Sequence, residues 1–331
     1  MCPEIEHDFR NDGVVSFTLN DNIRGRFARI DKSLSTILSQ QNYPEDVINL
    51  LAEAILLTVM IGQAIKLRWK LSVQIRGSGS IKLIAVDYFS PDAESGFANI
   101  RAYAKFDSQS LENNIDSGFD LLGKGLFAVL IDQGQGTEPY QGITPLTGGS
   151  LAKCAEMYFE QSEQLPTTFK IVVGQSNTPK NGRSFRGGGV MLQRLPTAGV
   201  SELFNDRPSL EKNFDKSSIN LELYEDELEN WSRVNILLHT VEKLELIGPL
   251  LTPNEVLKRL FHQEALIVFK PQKIKFGCSC SIEKISNTLS IYSSKDINSM
   301  VNAEGKVTAD CQFCGEHYVL CPNELGFEPK A

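Results

Sequence analysis

Four cysteines fall in two tight pairs, within FGCSCSIEK at 276–284 and CQFCGEHY at 311–318, and their spacing is C-x-C, thirty residues, then C-x-x-C. Four thiolates complete a closed tetrahedral structural zinc site, and in the C-x-x-C-Gly half the glycine lets backbone amides turn toward sulfur. Residues two apart on an extended strand point to opposite faces, so Cys278 and Cys280 share a metal only across a bent backbone. The members of each pair are also near enough to oxidise together. A structural clip, a catalytic dithiol and a switch that is each in turn all fit this spacing.

The remaining sequence narrows the setting. The start, MCPEIEHDFRNDG, lacks the basic and apolar segments of a secretory signal, so the expectation is a cytoplasmic protein. Disulfides are seldom structural in a reducing cytosol, which directs paired cysteines toward metal or redox chemistry. A formal net charge of -8 argues against a general binder of nucleic acid or anionic membranes. The most apolar run, VINLLAEAILLTVMIGQAI at 47–65, contains Glu53 and lies at the short limit of the ~20 residues that span a bilayer; it reads as a core helix.

The chain predicts an α+β protein in three parts. Residues 1–198, folded from about residue 8, read as an N-terminal domain with an antiparallel sheet packed by helices. Alternation in DGVVSFTLNDNIRGRFARID predicts a strand or hairpin, and NYPEDVINLL opens a helix with Pro44 at its first position. KLSVQIRG, SIKLIAVDYFS and FANIRAYAKF form a meander that GLFAVLIDQG and PYQGITPL extend. A helix capped by Ser150 and the strands TFKIVVGQ and RGGGVMLQRLP follow.

Residues 199–272 read as a largely helical linker with a polar beginning, GVSELFNDRPSLEKNFDKSS. Leu228, Trp231, Val234, Leu238, Val241 and Leu244 recur every three or four residues as one apolar stripe. Thr252, Pro253 and Glu255 form a capping box with proline at the first helical position. Residues 273–331 form a small module with little core of its own. In such a module, zinc binding is worth roughly 10–16 kcal/mol of folding free energy. Oxidation of the thiols would remove that energy, and the small disulfide loops would be strained and easily reduced again.

Taken with LLHTVEKLELIGPLLTPNEVLKRLFHQE, the segments FGCSCSIEK and ADCQFCGEHY resemble the C-terminal half of the 33 kDa heat-shock protein family, bacterial redox-regulated holdase chaperones. RGRFARID, the helix at 43–66 and GGGVMLQRLP at 187–196 are similar to the family's N-terminal domain. The resemblance implies that the reduced protein is inactive and holds one Zn2+ per chain through Cys278, Cys280, Cys311 and Cys314. It implies further that oxidation forms disulfides Cys278–Cys280 and Cys311–Cys314, releases zinc, unfolds the module and destabilises the linker. The oxidised form would dimerise and hold unfolded client proteins without ATP. Lys284 stands where the family usually has arginine, IYSSKDINSM lacks the usual glycine, and Cys321 is an additional thiol able to compete for Cys311 or Cys314.

Other residues read more plainly. His317 is an exposed or hydrogen-bonded histidine beside a filled site, Cys154 a buried inert thiol and Cys2 a silent terminal one. Gly187, Gly188 and Gly189 read as turn glycines, since no phosphate-loop motif is present. Arg24, Arg26 and Arg29 read as a solvated strand face or internal salt bridges. No enzyme signature is present.

Two other functions compete. A zinc ribbon for nucleic acid or ribosomes is disfavoured because Lys273, Lys275, Lys284, Lys295 and Lys306 are offset by Glu283, Asp296, Glu304, Asp310, Glu316 and Glu324. A thiol oxidoreductase would need Cys311 and Cys314 at a helix start after a strand, and the preceding NAEGKVTAD reads as a hairpin.

Overall fold

The computed structural model describes residues 11–325 except 21, 113–114, 179–181 and 196–216, and describes no side chains at 177–178, 182, 217–224 and 324. Cys2 and almost all of the polar stretch 199–218 therefore lie outside the described residues.

Strands β1 (Gly13–Leu19) and β2 (Ile23–Ile30) are the expected hairpin. Their alternation serves two cores. Val14, Ala28 and Ile30 enter one cluster, while Val15, Phe17, Leu19, Ile23 and Phe27 enter another on the opposite face. The expected meander is β3 (Lys70–Gly77), β4 (Ile81–Phe89) and β5 (Ala98–Phe106). β6 (Gly125–Asp132) returns to pair with β3, and β7 (Tyr140–Pro145) pairs with β6. β8 (Thr167–Thr178) and β9 (Gly182–Arg194) form a long hairpin that joins β2 through β9.

Two further strands come from the end of the predicted linker and the start of the predicted module. β10 (Leu266–Val268) pairs with β1, and β11 (Gln272–Phe276) lies between β5 and β1. Among the described residues this gives an eleven-stranded sheet in the order β7-β6-β3-β4-β5-β11-β1-β2-β9-β8, with β10 beside β1. The β5–β11 pair is parallel and the other pairs are antiparallel. β11 thus closes the seam between two half-sheets, and the next residues of the chain are the C-x-C pair.

Helix α1 (Lys32–Leu38) starts where the Asp12 carboxylate accepts from the amides of Asp31, Lys32 and Ser33. Helix α2 (Glu45–Ala64) has Pro44 at its N-cap, one position earlier than expected, with Glu45 and Asp46 complementing the dipole in the first turn. It is long and apolar enough to cross a membrane, but it packs against β2, β4, β5 and β9 and is mostly buried inside the protein. Glu53 on α2 accepts from the Ala152 amide at 3.0 Å, satisfying the start of the helix that begins at Leu151; burial pushes its pKa up and that backbone bond partly offsets the push. A short α3 spans Ser108–Glu112, and α4 (Leu151–Tyr158) is capped by Ser150 as expected.

The glycine run corrects an expectation. Gly187, Gly188 and Gly189 form no turn but lie inside β9, where helices press on both faces. A Cβ on Gly187 would meet Leu56 of α2. One on Gly188 would sit 2.2 Å from the Leu246 carbonyl of the linker.

The linker helices are α5 (Ser217–Thr240), α6 (Lys243–Ile247) and α7 (Pro253–Leu260). Val234, Leu238 and Val241 of the predicted stripe are buried and Trp231 half-buried, but Leu228 and Leu244 are exposed. The helix stops at Thr240 and a capping box at Glu242 and Glu245 restarts it, so Leu246 instead of Leu244 turns to the sheet. The capping box of Thr252 and Glu255 with Pro253 forms as expected. Together these helices cover Val15, Phe17, Phe27, Val190 and Leu192, and Phe261 stacks on Phe17 at 6.0 Å.

The C-terminal module contains α8 (Ile282–Leu289), α9 (Ser294–Ser299) and the hairpin β12 (Val307–Asp310) with β13 (His317–Leu320). NAEGKVTAD supplies a turn and then β12, whose partner lies beyond the C-x-x-C pair. Among the described residues after Gly277, the buried apolar side chains are Ile297, Val307, Leu320 and Leu325.

Candidate metal centre

Two irregular segments build the site. After Gly277, whose amide still bonds to Ile100 O of β5, the chain leaves the sheet without strand geometry until Ser281 caps α8. This is the bend that lets Cys278 and Cys280 face one point. Cys311 and Cys314 occupy the tight turn between β12 and β13, where Gly315 N donates to Cys311 O at 2.8 Å and Gly315 takes a φ of +71°. This turn joins antiparallel strands and is not a helix start, which removes the setting a thiol oxidoreductase would need.

The structure brings together the four cysteines singled out in the sequence. Their sulfurs all lie within 4.8 Å of one another; Cys278 and Cys311 are 3.7 Å apart and Cys280 and Cys314 3.3 Å. Metal–sulfur bonds of about 2.3 Å around a tetrahedral zinc place sulfurs about 3.8 Å apart, so the set fits such an ion closely. These two contacts run across the sequence pairs while all four sulfurs lie within 4.8 Å, so the assembled site does not single out one disulfide pairing.

The electrostatics are uneven. Burial opposes ionisation of Cys278, but hydrogen bonds involving Cys280 and the guanidinium of Arg101 bring its pKa down to about 7. Burial pushes Cys311 and Cys314 up; the neighbouring thiols add to the shift of Cys314, whereas at Cys311 the backbone and Cys314 oppose it. The Tyr318 hydroxyl donates to Cys280 Sγ at 3.1 Å, which raises the pKa of the phenol. Arg101 Nη1 lies 3.7 Å from Cys278 Sγ. Nothing in the spacing of the cysteines pointed to Arg101, which lies 177 residues before Cys278 on β5.

The other cysteines and His317 stand apart from this cluster. His317 Nδ1 is 2.6 Å from Asp310 Oδ1 and is exposed, as expected. Cys154 is buried, with its thiol donating to Thr147 O, and burial raises its pKa. Cys321 Sγ accepts from Lys306 Nζ at 3.2 Å and is not one of the four clustered sulfurs.

The arginine cluster departs from the expectation of a solvated face or salt bridges. Arg29 is completely buried and donates to the backbone carbonyls of Glu245, Leu246 and Leu251, at 2.7, 3.0 and 2.7 Å, all in the linker. It sits in register beside Gly13 and Gly188, which leave room for the linker backbone. Arg26 donates to Gln63 O at the end of α2. Burial, then the neighbouring arginines, lowers the pKa of both Arg26 and Arg29 to about 10. A three-residue basic pattern in sequence could not reveal a cation serving main-chain acceptors two hundred residues away.

A family model described as Hsp33 protein matches residues 12–320. The chain belongs to the Hsp33 family. Among its Hsp33 relatives, the 33 kDa chaperonin of Caulobacter vibrioides is 33% identical over 319 residues, covering 94% of this chain and 95% of the relative. The 33 kDa chaperonin of Proteus mirabilis is 29% identical over 303 residues, covering 92% and 90%. The fold is that of the crystallised 33 kDa chaperonin, a heat shock protein 33 homologue, of Thermotoga maritima: the TM-score is 0.71 at 20% identity, covering 95% of this chain and 96% of that one. Hsp33 membership supports a chaperone role, a non-enzymatic class of function, and the four clustered cysteines are a group that could hold a metal ion.

Proposed function

We propose that this chain is a redox-regulated, ATP-independent holdase chaperone whose reduced form binds one zinc through Cys278, Cys280, Cys311 and Cys314 and is inactive. The observation that supports this most is the convergence of four thiols, with no other ligand type among them, in a module whose described residues include four buried apolar side chains. An all-thiolate set suits zinc, and a bound zinc would supply folding free energy of the order of 10 kcal/mol that this small core lacks.

Oxidation acts on the thiols. Each disulfide forms as two thiols lose two protons and two electrons to the oxidant; a peroxide molecule accepting them leaves as two waters. The pairs Cys278–Cys280 and Cys311–Cys314 remain close in an unfolding module, whereas pairing across them requires loops of more than thirty residues to stay closed. Sulfurs so bonded no longer donate to a metal, and the module loses its main support. The linker, whose C-terminal strands β10 and β11 lead directly into the module, then loses the support of that folded neighbour, and its helices leave the sheet face of Val15, Phe17, Phe27, Val190 and Leu192, which becomes a surface for unfolded cytoplasmic clients and a contributor to dimerisation.

The test follows zinc release with a chromogenic chelator during peroxide or hypochlorite treatment, with light scattering of a thermally unfolding client in the same samples. About one zinc per chain leaves as aggregation protection appears, and dithiothreitol reverses both. Equal protection by the reduced, zinc-loaded protein would contradict the proposal.

A further inference from the structure

The surroundings of the four clustered cysteines come from two parts of the chain. Arg101 projects from β5 of the main sheet. Its Nε and Nη2 donate to Asp87 Oδ2 at 2.9 and 2.7 Å, and Asp87 Oδ1 accepts from the Ser72 hydroxyl, so the guanidinium is fixed from behind. The remaining nitrogen, Nη1, is directed at Cys278 Sγ, 3.7 Å away. The face of the same guanidinium lies 4.1 Å from the ring centroid of Phe313, which sits between Cys311 and Cys314. Phe313 also packs edge-on against Tyr103 of β5 at 4.8 Å, and Gln41 Nε2 donates to Gln312 O at 3.2 Å.

One side chain of the main domain therefore touches both halves of the four-cysteine motif. Resting on the metal reading above, we infer that Arg101 is an outer-shell positioning residue of the metal centre, with Phe313 as the tooth that docks the C-x-x-C turn on β5, so that metal occupancy and docking reinforce each other.

The physical reasons are specific. Four thiolates around a divalent ion leave a net negative centre, and a fixed guanidinium beside one thiolate offsets it in partly buried surroundings. Only 16% of the Arg101 side chain is exposed, so its charge is poorly screened. Tyr318 supplies a matching donor to Cys280 from inside the module. Arg101 differs because its donor belongs to another folded unit. Phe313 cannot hold its place on Arg101 and Tyr103 unless Cys311 and Cys314 keep their turn, and Cys278 follows directly on the strand that pairs with β5. By reciprocity, whatever the metal adds to docking, docking adds to metal affinity.

The experiment is a zinc competition titration of the full-length reduced protein against a chromogenic chelator. It compares the wild type, Phe313→Ala, the double variant Arg101→Met with Asp87→Asn, and the combination of all three. The Asp87 change avoids leaving a buried carboxylate unpaired, and Phe313→Ala alters only the turn, so the main sheet keeps its thermal transition. Zinc affinity falls about 10–100-fold in each of the first two variants, and the combination falls by less than the product of the two. Amide exchange in β5 slows on zinc loading in the wild type and does not respond to zinc in Phe313→Ala. Variants that bind zinc within about twofold of the wild type would overturn the inference while leaving the metal site standing. A wild type that takes up no zinc would overturn the metal reading and this one with it.

Discussion

The two ends of this chain are stabilised by different means. In the main domain, more than forty buried residues among those described, α2's own included, form one apolar core, and the sheet supplies a partner for every one of its strands. Among the described residues, the module after Gly277 buries Ile297, Val307, Leu320 and Leu325 and has a two-stranded hairpin and four clustered thiols. A core of the first kind is lost only with the whole fold, because no single contact carries it. Order of the second kind can be withdrawn by chemistry at a few sulfurs. The linker lies between these cases: its apolar side chains are well buried, but what they cover is a face that the main domain does not need for its own core on α2.

The largest difference should appear on replacing Cys311 by Ser. Residues 277–325 then lose protection from amide exchange, a loss on the order of 10 kcal/mol in that module. The main domain keeps its thermal transition. Collapse of both regions together would break the comparison. The converse change is Leu56→Ala on α2, which creates a cavity in the large core and costs about 2–5 kcal/mol of global stability. Thermal denaturation reports this as a lowered Tm, and zinc stoichiometry in the folded protein stays at the wild-type value.

The linker can be loosened without touching either extreme. Gly188→Ala drives a methyl into Leu246 O, an overpacking cost of about 1–3 kcal/mol that falls on docking of α6. Arg29→Met leaves three linker carbonyls without their donor and acts in the same direction, by about 1–3 kcal/mol. Limited proteolysis should cut residues 225–265 faster in both variants while zinc remains bound.

The smallest expected effect is a pH dependence. Glu264 accepts from Arg233 and from Asn20 of the β1–β2 turn, and the Arg233 hydrogen bond holds its carboxyl below the usual 4.5. A depressed folded pKa means that this contribution is complete above 4.5 and disappears as pH falls through the lower folded value. Linker protection measured down that range should weaken in the wild type. In Glu264→Gln it should already be reduced and should lose this component of its pH dependence.

Much of this organisation could be read in advance where local signals and final environment agree. The capping box at Thr252, the cap at Ser150, the alternation of β1 and the two tight cysteine pairs each depend on residues close in sequence. What escaped depends on distant partners. Glycines 187–189 look like a turn until helices are placed on both faces of β9. Leu244 fits the stripe until the capping box at Glu242 redirects the helix. Arg29 and Arg101 act on a backbone and a sulfur that no periodicity brings near them. The seam position of β11, parallel to β5, likewise follows from assembly of the whole sheet and not from its five residues.

The central claim is that the metal-ligating state of the four cysteines controls a linker that the main domain otherwise holds. Amide hydrogen exchange on the full chain, reduced with zinc and then oxidised and zinc-free, tests it most directly. The account predicts that residues 277–325 and 225–265 lose protection together while α2 and strands β3–β6 keep theirs. Full retention of linker protection after the module has lost its own would contradict it.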